Sequence, residues 1–320
     1  MSAPPQVSVI IPTFNSANVI AETLATVAGQ THPEFEVIIA VDAGSTDATA
    51  TVVQAWCDRD PRFRCVIHPH CGISQSRNIA VQHARGELLA FLDADDLWRP
   101  EKLARQLADF RDHPEINFSY TNYVTWDGRT EGGLRYGPNK KLPEGNVLHS
   151  LIHSCLFGTS TIMVRRELFH RAGGFDPEIP SCEDWDLWLR LAEHGLFAKG
   201  IRDPLVRYRR WEGNHSNVRM REAEHNLIVL TKNVALTQSP AAKKIYQQAL
   251  KKFYQKRELT RAKLSLETAP ESIPAVLWRA WRLNPREVKW LLRWGLVAWP
   301  RALGGAHTAA LVHRTLREKF

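Results

Sequence analysis

The chain has 320 residues, 44% hydrophobic and 24% charged, which excludes a disordered chain, a collagen-like repeat and a disulfide mini-protein and suggests about two domains. Five cysteines without a C-x-x-C pair point to a reduced, cytosolic chain with neither a zinc site nor a disulfide framework. The net charge of +8 is uneven: residues 221–320 hold 19 Lys and Arg against 7 Asp and Glu, a surplus of +12, which leaves −4 for residues 1–220.

In chain order, the first half alternates short apolar runs with amphipathic stretches. The runs at 7–11, 35–41, 63–67 and 87–92 are rich in Val, Ile and Phe and bounded by Pro, Gly, Asp or Asn, which predicts buried strands. Helices are expected at about 16–30, 46–58, 74–84 and 100–111, with Asn15 and Ser16 as start signals for the first and Pro100 for the last. Such a series predicts an α/β fold, Rossmann-like, with a mostly parallel sheet flanked by helices. Ligands in such sheets bind outside the C-terminal ends of the strands.

Beyond 117 the pattern is less regular. Strands are expected at 117–126, 161–166 and 204–211, and a Gly-, Pro- and charge-rich mobile loop over 127–146. A helix at 182–195 places Leu187, Trp188 and Leu191 on its apolar side and ends at Gly195. After 217 only helical patterns remain, so the expected division is a catalytic domain over 1–217 and a basic, Trp-rich helical region over 218–320. The first apolar run stops at Pro12, too short for a signal peptide, and the stretch 290–312 is interrupted by Arg293, Pro300, Arg301 and His307, so no membrane span is expected.

Acidic residues stand where the strands end. Asp42 closes the second run and Asp47 follows it, while Asp93, Asp95 and Asp96 close the fourth. Three carboxylates within four residues repel one another unless a cation or solvent compensates, and hard oxygen ligands suit Mg²⁺ or Mn²⁺. The same residues would also serve as a cap and first-turn acids for the helix that follows.

Four motifs occur in order: VSVIIPTFN (7–15), VDAGSTDAT (41–49), GISQSRNIAVQHARGELLAFLDADD (72–96) and EDWDLWLR (183–190). Together they resemble the family-2 glycosyltransferases of the GT-A fold over about residues 7–215. The resemblance implies an inverting, metal-dependent transferase that moves a sugar from a nucleoside diphosphate to a hydroxyl acceptor. It implies that Pro12, Thr13, Phe14 and Asp42 hold the nucleotide, that Arg77 approaches the nucleotide and diphosphate, and that Asp93 and Asp95 are the D-x-D pair for Mg²⁺ or Mn²⁺. Asp184 then matches the base that deprotonates the acceptor.

On the acceptor side, Glu183, Trp185 and His215 are candidates, although Glu183 also reads as a helix acid, Trp185 and Trp188 as core, and His215 as a surface residue. Gly173-Gly174-Phe175-Asp176 resembles a G-G-F-D turn of the family. One position departs from the pattern: Ala43 stands where the family often has a second Asp that reads the base, which weakens a UDP donor and leaves GDP and dTDP beside it.

Five tryptophans at 278, 281, 290, 294 and 299 lie among basic residues in the last fifty, and a helix is expected to start at Pro285. Trp on one face and Lys/Arg on the other suits an anionic membrane surface contacted through 270–320, at the cytoplasmic face of the plasma membrane; packing on protein, including an oligomer partner, is the other reading. No nucleic-acid motif is present. A glycan or lipid-linked acceptor in cell-surface polysaccharide or glycolipid assembly follows from the resemblance. The rivals are a nucleotidyltransferase, which would favour a Gly-rich basic loop after the first strand, and an inactive sugar-nucleotide-binding protein.

Overall fold

Strands β1 (Val7–Thr13) and β2 (Phe35–Asp42) are buried at every position, the pattern of central parallel strands covered on both faces. The computed structural model describes residues 4–210 and 219–268. In it β1 pairs in parallel with β2 on one side and with β4 (Leu88–Phe91) on the other, and β2 pairs in parallel with β3 (Phe63–His68). Helices α1 (Ile20–Ala28), α2 (Thr49–Arg59) and α3 (Gly72–Gln82) connect them. The chain therefore builds outward from β1 in one direction, then crosses to β4 on its other side. The strand order changes direction between β1 and β4, where an open α/β sheet forms its ligand crevice.

The second half joins with mixed direction. Strand β8 (Ile162–Arg165) runs antiparallel to β4, β6 (Phe118–Trp126) antiparallel to β8, and β9 (Ala198–Arg209) parallel to β6. The two-residue β5 (Leu97–Trp98) closes that edge against β9, giving the order β3-β2-β1-β4-β8-β6-β9-β5. Helix α4 (Lys102–Asp112) follows β5. The short helices α5 (Leu148–His153) and α6 (Arg166–Arg171), and α7 (Glu183–Glu193), complete this half.

The core gathers Val9, Ile11, Leu24, Val37, Ile39 and Ala90 with Trp98 and Leu103. Each large aliphatic buried there contributes about 1.5–3 kcal/mol. Glu36 is buried within β2 and is satisfied from four sides: Ser8 Oγ at 2.7 Å, Arg64 at 3.1 Å, and the Arg85 backbone N–H and Nε at 2.7 and 2.9 Å.

Several boundaries differ from the sequence expectation. The segment 127–146 is not a plain loop: β7 (Glu131–Leu134) forms a hairpin with β6, and it escaped notice because all four residues are exposed and two are glycine. Strand β9 begins at Ala198 rather than 204, with register shifts opposite Thr121–Tyr123 where Pro204 cannot donate. Helix α1 starts at Ile20, and Asn15 does not cap it. Asn15 adopts φ 47°, accepts from Thr46 N–H at 2.8 Å, and fastens the β1–α1 loop to the β2–α2 loop. Asp47 completes that link by accepting from Ala17 N–H and Thr49 N–H at 3.0 Å each.

Helix α8 (Arg219–Leu236) and the 29-residue α9 (Pro240–Thr268) form the helical C-terminal extension. Among the described residues, His225–Ala249 belong to the same compact unit as 4–210, while 219–224 and 250–268 belong to a second unit. In the second unit Arg257 pairs with Glu258 at 2.7 Å, and Arg261 lies 3.9 Å from the same carboxylate. Among the described residues no helix is long and apolar enough to cross a membrane. The Trp-bearing stretch at 270–320, with its expected helix start at Pro285, and His215 lie outside the described residues.

Candidate active site

The candidate residues collect at the C-terminal ends of β1, β2 and β4, and at the first turn of α7. Asp42 ends β2 and is buried. Its Oδ1 accepts from Gly44 N–H at 2.8 Å, and its Oδ2 lies 2.9 Å from His70 Nδ1. Burial pushes its carboxyl up, but the Gly44 N–H and His70 outweigh that and hold it below its ordinary value. His70 also stacks at 5.1 Å on Phe14, which is exposed. Pro12 and Thr13 are buried, and the Thr13 hydroxyl donates to Ala40 O at 3.2 Å. Of that trio only Phe14 offers a side chain to a ligand. Ala43 brings no polar side chain; its backbone N–H donates to His68 O at 2.8 Å.

Arg77 is the hub. It lies on α3, is 1% exposed, and sends its two terminal nitrogens to different carboxylates. Nη2 donates to Asp93 Oδ1 at 2.6 Å and Nη1 to Glu183 Oε1 at 2.7 Å, with the guanidinium 5.0 Å from the Phe175 ring centroid. Burial alone would lower its pKa, but the two carboxylates raise it, so Arg77 is a fixed cation. The resemblance implies that Arg77 approaches the nucleotide and diphosphate. In the structure both terminal nitrogens are spent on tying the D-x-D segment to the Glu-Asp pair. A single buried guanidinium between two carboxylates is held by charge-assisted bonds, and removing it strands both acids.

The next residue, Asn78, fixes the Gly173–Asp176 turn. Its Nδ2 donates to Phe175 O at 2.7 Å and its Oδ1 accepts from Phe175 N–H at 3.0 Å. Gly173 and Gly174 have φ of 82° and 71°, and a Cβ on Gly174 would meet Asn78 Oδ1 at 2.9 Å, so glycine is required there.

Asp93, Asp95 and Asp96 follow β4. Asp96 is buried and is not a helix-turn acid: Ser160 Oγ lies 2.5 Å from its Oδ2, and Arg209 N–H donates to its Oδ1 at 2.8 Å. Burial first, then the charges of Asp93 and Asp95, push the Asp96 carboxyl well above its ordinary range. Arg209 Nε holds the Asp95 carbonyl at 2.8 Å. Asp93 keeps part of its carboxylate exposed beyond the Arg77 bond. Among the described residues no group of three or more His, Cys, Asp or Glu forms a cation cage. The surplus of negative charge at Asp93 and Asp95, made of hard oxygens, nevertheless suits Mg²⁺ or Mn²⁺, ions that take one or two carboxylates and complete their shell from substrate phosphates.

Asp184, in the first turn of α7, is half-buried. Its Oδ1 accepts from Trp185 N–H at 2.6 Å, and Thr159 Oγ1 lies 3.4 Å from its Oδ2. Burial and the neighbouring Glu183 carboxylate push its pKa up to about 7, against the lowering influence of the Trp185 N–H and Arg77. A carboxyl poised there can accept a proton near neutral pH.

Trp185, for which the sequence offers an acceptor-side and a core reading, is core. Its indole is 1% exposed and donates to Leu151 O at 2.8 Å, so it presents no face to a sugar. Trp188 is fully buried beside Phe118 and Phe175. Sequence reasoning missed Ser160, Asp186, Lys232 and Asn233. Only the acidic spacing within EDWD hinted at one of them.

The crevice at the reversal of strand order, the acidic strand-end segment and a carboxyl of raised pKa at the start of α7 lie in an α/β fold shared with GT-A glycosyltransferases. The model for "Glycosyl transferase family 2" matches residues 8–173, more than half of the chain, and the protein belongs to that family. Among its relatives, the putative teichuronic acid biosynthesis glycosyltransferase TuaG of Bacillus subtilis is 35% identical over 209 residues, 64% of this chain and 79% of TuaG. The UDP-Glc:alpha-D-GlcNAc-diphosphoundecaprenol beta-1,3-glucosyltransferase WfaP of Escherichia coli is 30% identical over 219 residues, 68% of this chain and 82% of WfaP. An uncharacterized glycosyltransferase of Rickettsia bellii is 32% identical over 72% of this chain, which spans only 32% of that longer protein.

In fold, the chain is similar to S. aureus TarS 1–349 in complex with UDP-GlcNAc, with a TM-score of 0.63 at 22% identity over 93% of this chain and 87% of that one. It is also similar to the mannosyltransferase PcManGT of Pyrobaculum calidifontis in complex with GDP-Man and Mn²⁺, with a TM-score of 0.61 at 23% identity over 95% and 82%.

Proposed function

We propose that the protein is a metal-dependent, inverting glycosyltransferase that moves a sugar from a nucleoside diphosphate to a hydroxyl of a glycan or lipid-linked acceptor in cell-surface polysaccharide or glycolipid assembly. The observation that carries this reading is the Arg77 fork, which ties Asp93 of the D-x-D segment to Glu183, the immediate neighbour of Asp184. Donor-side and acceptor-side carboxylates are thereby held around one cation.

In this mechanism Phe14 and Asp42 orient the nucleotide. Asp93 and Asp95 would hold Mg²⁺ or Mn²⁺, which when bound neutralises charge on the diphosphate leaving group. The Asp184 carboxylate takes the proton of the acceptor hydroxyl. The acceptor oxygen then forms its bond to the sugar's anomeric carbon as the bond to the diphosphate oxygen breaks on the opposite side, which inverts the centre. Glu183, already committed to Arg77, positions that helix start. Roles for His215 and for a membrane contact through 270–320 remain part of the proposal, as do the divisions 1–217 and 218–320. TuaG and WfaP, by their names, act in teichuronic acid synthesis and on a diphosphoundecaprenol-linked sugar, which supports a polymeric or lipid-linked acceptor and a peripheral position at the cytoplasmic membrane face.

The test is a panel of UDP-, GDP- and dTDP-sugars, assayed for hydrolysis and transfer with Mg²⁺, with Mn²⁺ and with EDTA. Turnover of one donor class only with a divalent ion is the expected result. Metal-independent turnover would remove the metal role, and formation of nucleoside triphosphate and sugar 1-phosphate on addition of pyrophosphate, without transfer, would favour a nucleotidyltransferase-like enzyme.

A further inference from the structure

Helix α7 begins in an unusual way. Its N-cap, Cys182, has φ 63°, a left-handed conformation that a residue with a β-carbon rarely adopts, and no side chain caps the helix. Glu183 and Asp184 follow directly, so whatever holds this turn also sets where Asp184 points. On the far side stands α8, which lies beyond the residues matched by the family model.

The residues of α8 from His225 onward grip α7 at two levels. Asn226 Oδ1 accepts from Cys182 Sγ at 3.5 Å, at the left-handed turn itself. One turn further, Asp186 is completely buried. Its Oδ2 accepts from Lys232 Nζ at 2.8 Å and from Arg190 Nε and Nη2 at 2.9 and 2.8 Å, and its Oδ1 accepts from Asn233 Nδ2 at 2.8 Å. Lys232 also donates to Asp176 Oδ2 at 2.7 Å. Asp176 belongs to the turn that Asn78 holds through the Phe175 backbone, and Asn78 is the residue after Arg77. The contacts close a ring: Arg77 to Glu183 on α7, Asp186 on α7 to Lys232 on α8, Lys232 to Asp176, and the 175–176 turn back to Asn78. Two carboxylates, Asp176 and Asp186, meet two cations, Lys232 and Arg190, so the ring is neutral, and loss of either cation leaves a buried acid short of charge.

We propose that Lys232, with Asn233 and Asn226, is a positioning element for catalysis: α8 fixes the first turn of α7 so that the Asp184 carboxyl keeps its place beside the Arg77 hub. This inference rests on Asp184 being the base. It assigns α8 a part in the reaction through its hold on α7.

The full chain carrying K232M, K232R, N226A or D184N tests it. The readouts are steady-state transfer with the donor identified by the sugar-nucleotide panel, UDP and GDP affinity by calorimetry, and melting temperature. K232M is expected to lower kcat by about 10²-fold, the scale of an ångström-level misplacement of a catalytic group. Nucleotide affinity and KM for the donor should stay within twofold, and K232R should recover most of kcat. N226A should act in the same direction with a smaller effect, and it decides the matter if K232M does not fold. Wild-type kcat per folded molecule in K232M or N226A, with only the melting temperature lowered, would overturn the proposal and leave α8 a merely structural support. Retention of transfer by D184N would instead overturn the assignment of the base.

Discussion

The two halves of the sheet hold their functional groups in different ways. On the donor side, β1 to β4 are parallel, alternate with helices, and deliver Asp42 and Asp93 directly at strand ends. Around Asp184, the proposed base, the surroundings come from Thr159, Glu183, the Arg77 hub on α3 and the α8 residue Lys232, segments far apart in the chain. In the first half the strand ends themselves bring the carboxylates together, with Asp93 also held by the Arg77 tie. The other half depends on buried charge pairs between distant segments, and so should be the more sensitive to single substitutions.

The largest effect should come from D184N. The isosteric amide cannot take the acceptor proton, and transfer is expected to fall about 10³-fold while UDP or GDP affinity, measured by calorimetry, is unchanged. The same variant carries a stability signature. Because the folded-state pKa of Asp184 is raised from an ordinary 3.8 to about 7, its contribution to stability is present at low pH and lost as pH rises through about 7. The melting temperature of D184N relative to wild type should therefore be higher at pH 8 than at pH 4. The opposite trend would contradict the buried-acid description.

Next in size is R77M, which strands Asp93 and Glu183 together. A loss of about 3–5 kcal/mol in denaturant unfolding is expected, with a smaller loss of transfer than in D184N. A loss under 1 kcal/mol would mean that the two halves do not depend on this tie. D95A comes third: transfer should fall about 10²-fold, the scale of losing one electrostatic stabiliser, and addition of Mn²⁺ should restore little. An unchanged Mn²⁺ titration would remove Asp95 from the cation's ligands. Smallest is W185F, which removes the indole bond to Leu151 and part of a buried ring, and should lower stability by about 1–3 kcal/mol without changing acceptor KM. A raised acceptor KM would return Trp185 to the sugar-contacting surface.

The same contrast explains what the sequence made legible. Strands 7–11, 35–41, 63–67 and 87–92 were readable because continuous apolar runs ended at turn residues, and the observed strands Val7–Thr13, Phe35–Asp42, Phe63–His68 and Leu88–Phe91 match them closely. Asp42 and Asp93 stood out for the same reason, since motif and strand end coincide, whereas Arg77, on α3, was named by the resemblance alone. Strand β7 had no buried face to leave a pattern, and β9 breaks its alternation around Pro204. The partners that Arg77 takes in the fold depend on which distant elements meet, which periodicity does not encode. Nothing in the local sequence around Asp186 shows that its charge is matched by Lys232, 46 residues further on.

The central claim is that Asp184, held beside Arg77, is the base for transfer. The most direct measurement is the pH dependence of kcat/KM for transfer by the wild-type chain with the donor and cation the panel identifies. Activity should rise about tenfold per pH unit at low pH, bend near pH 7 and level off above it, as required for a group that must lose its proton to act. A profile flat from about pH 5 to 8, or one that falls with rising pH, would contradict the account.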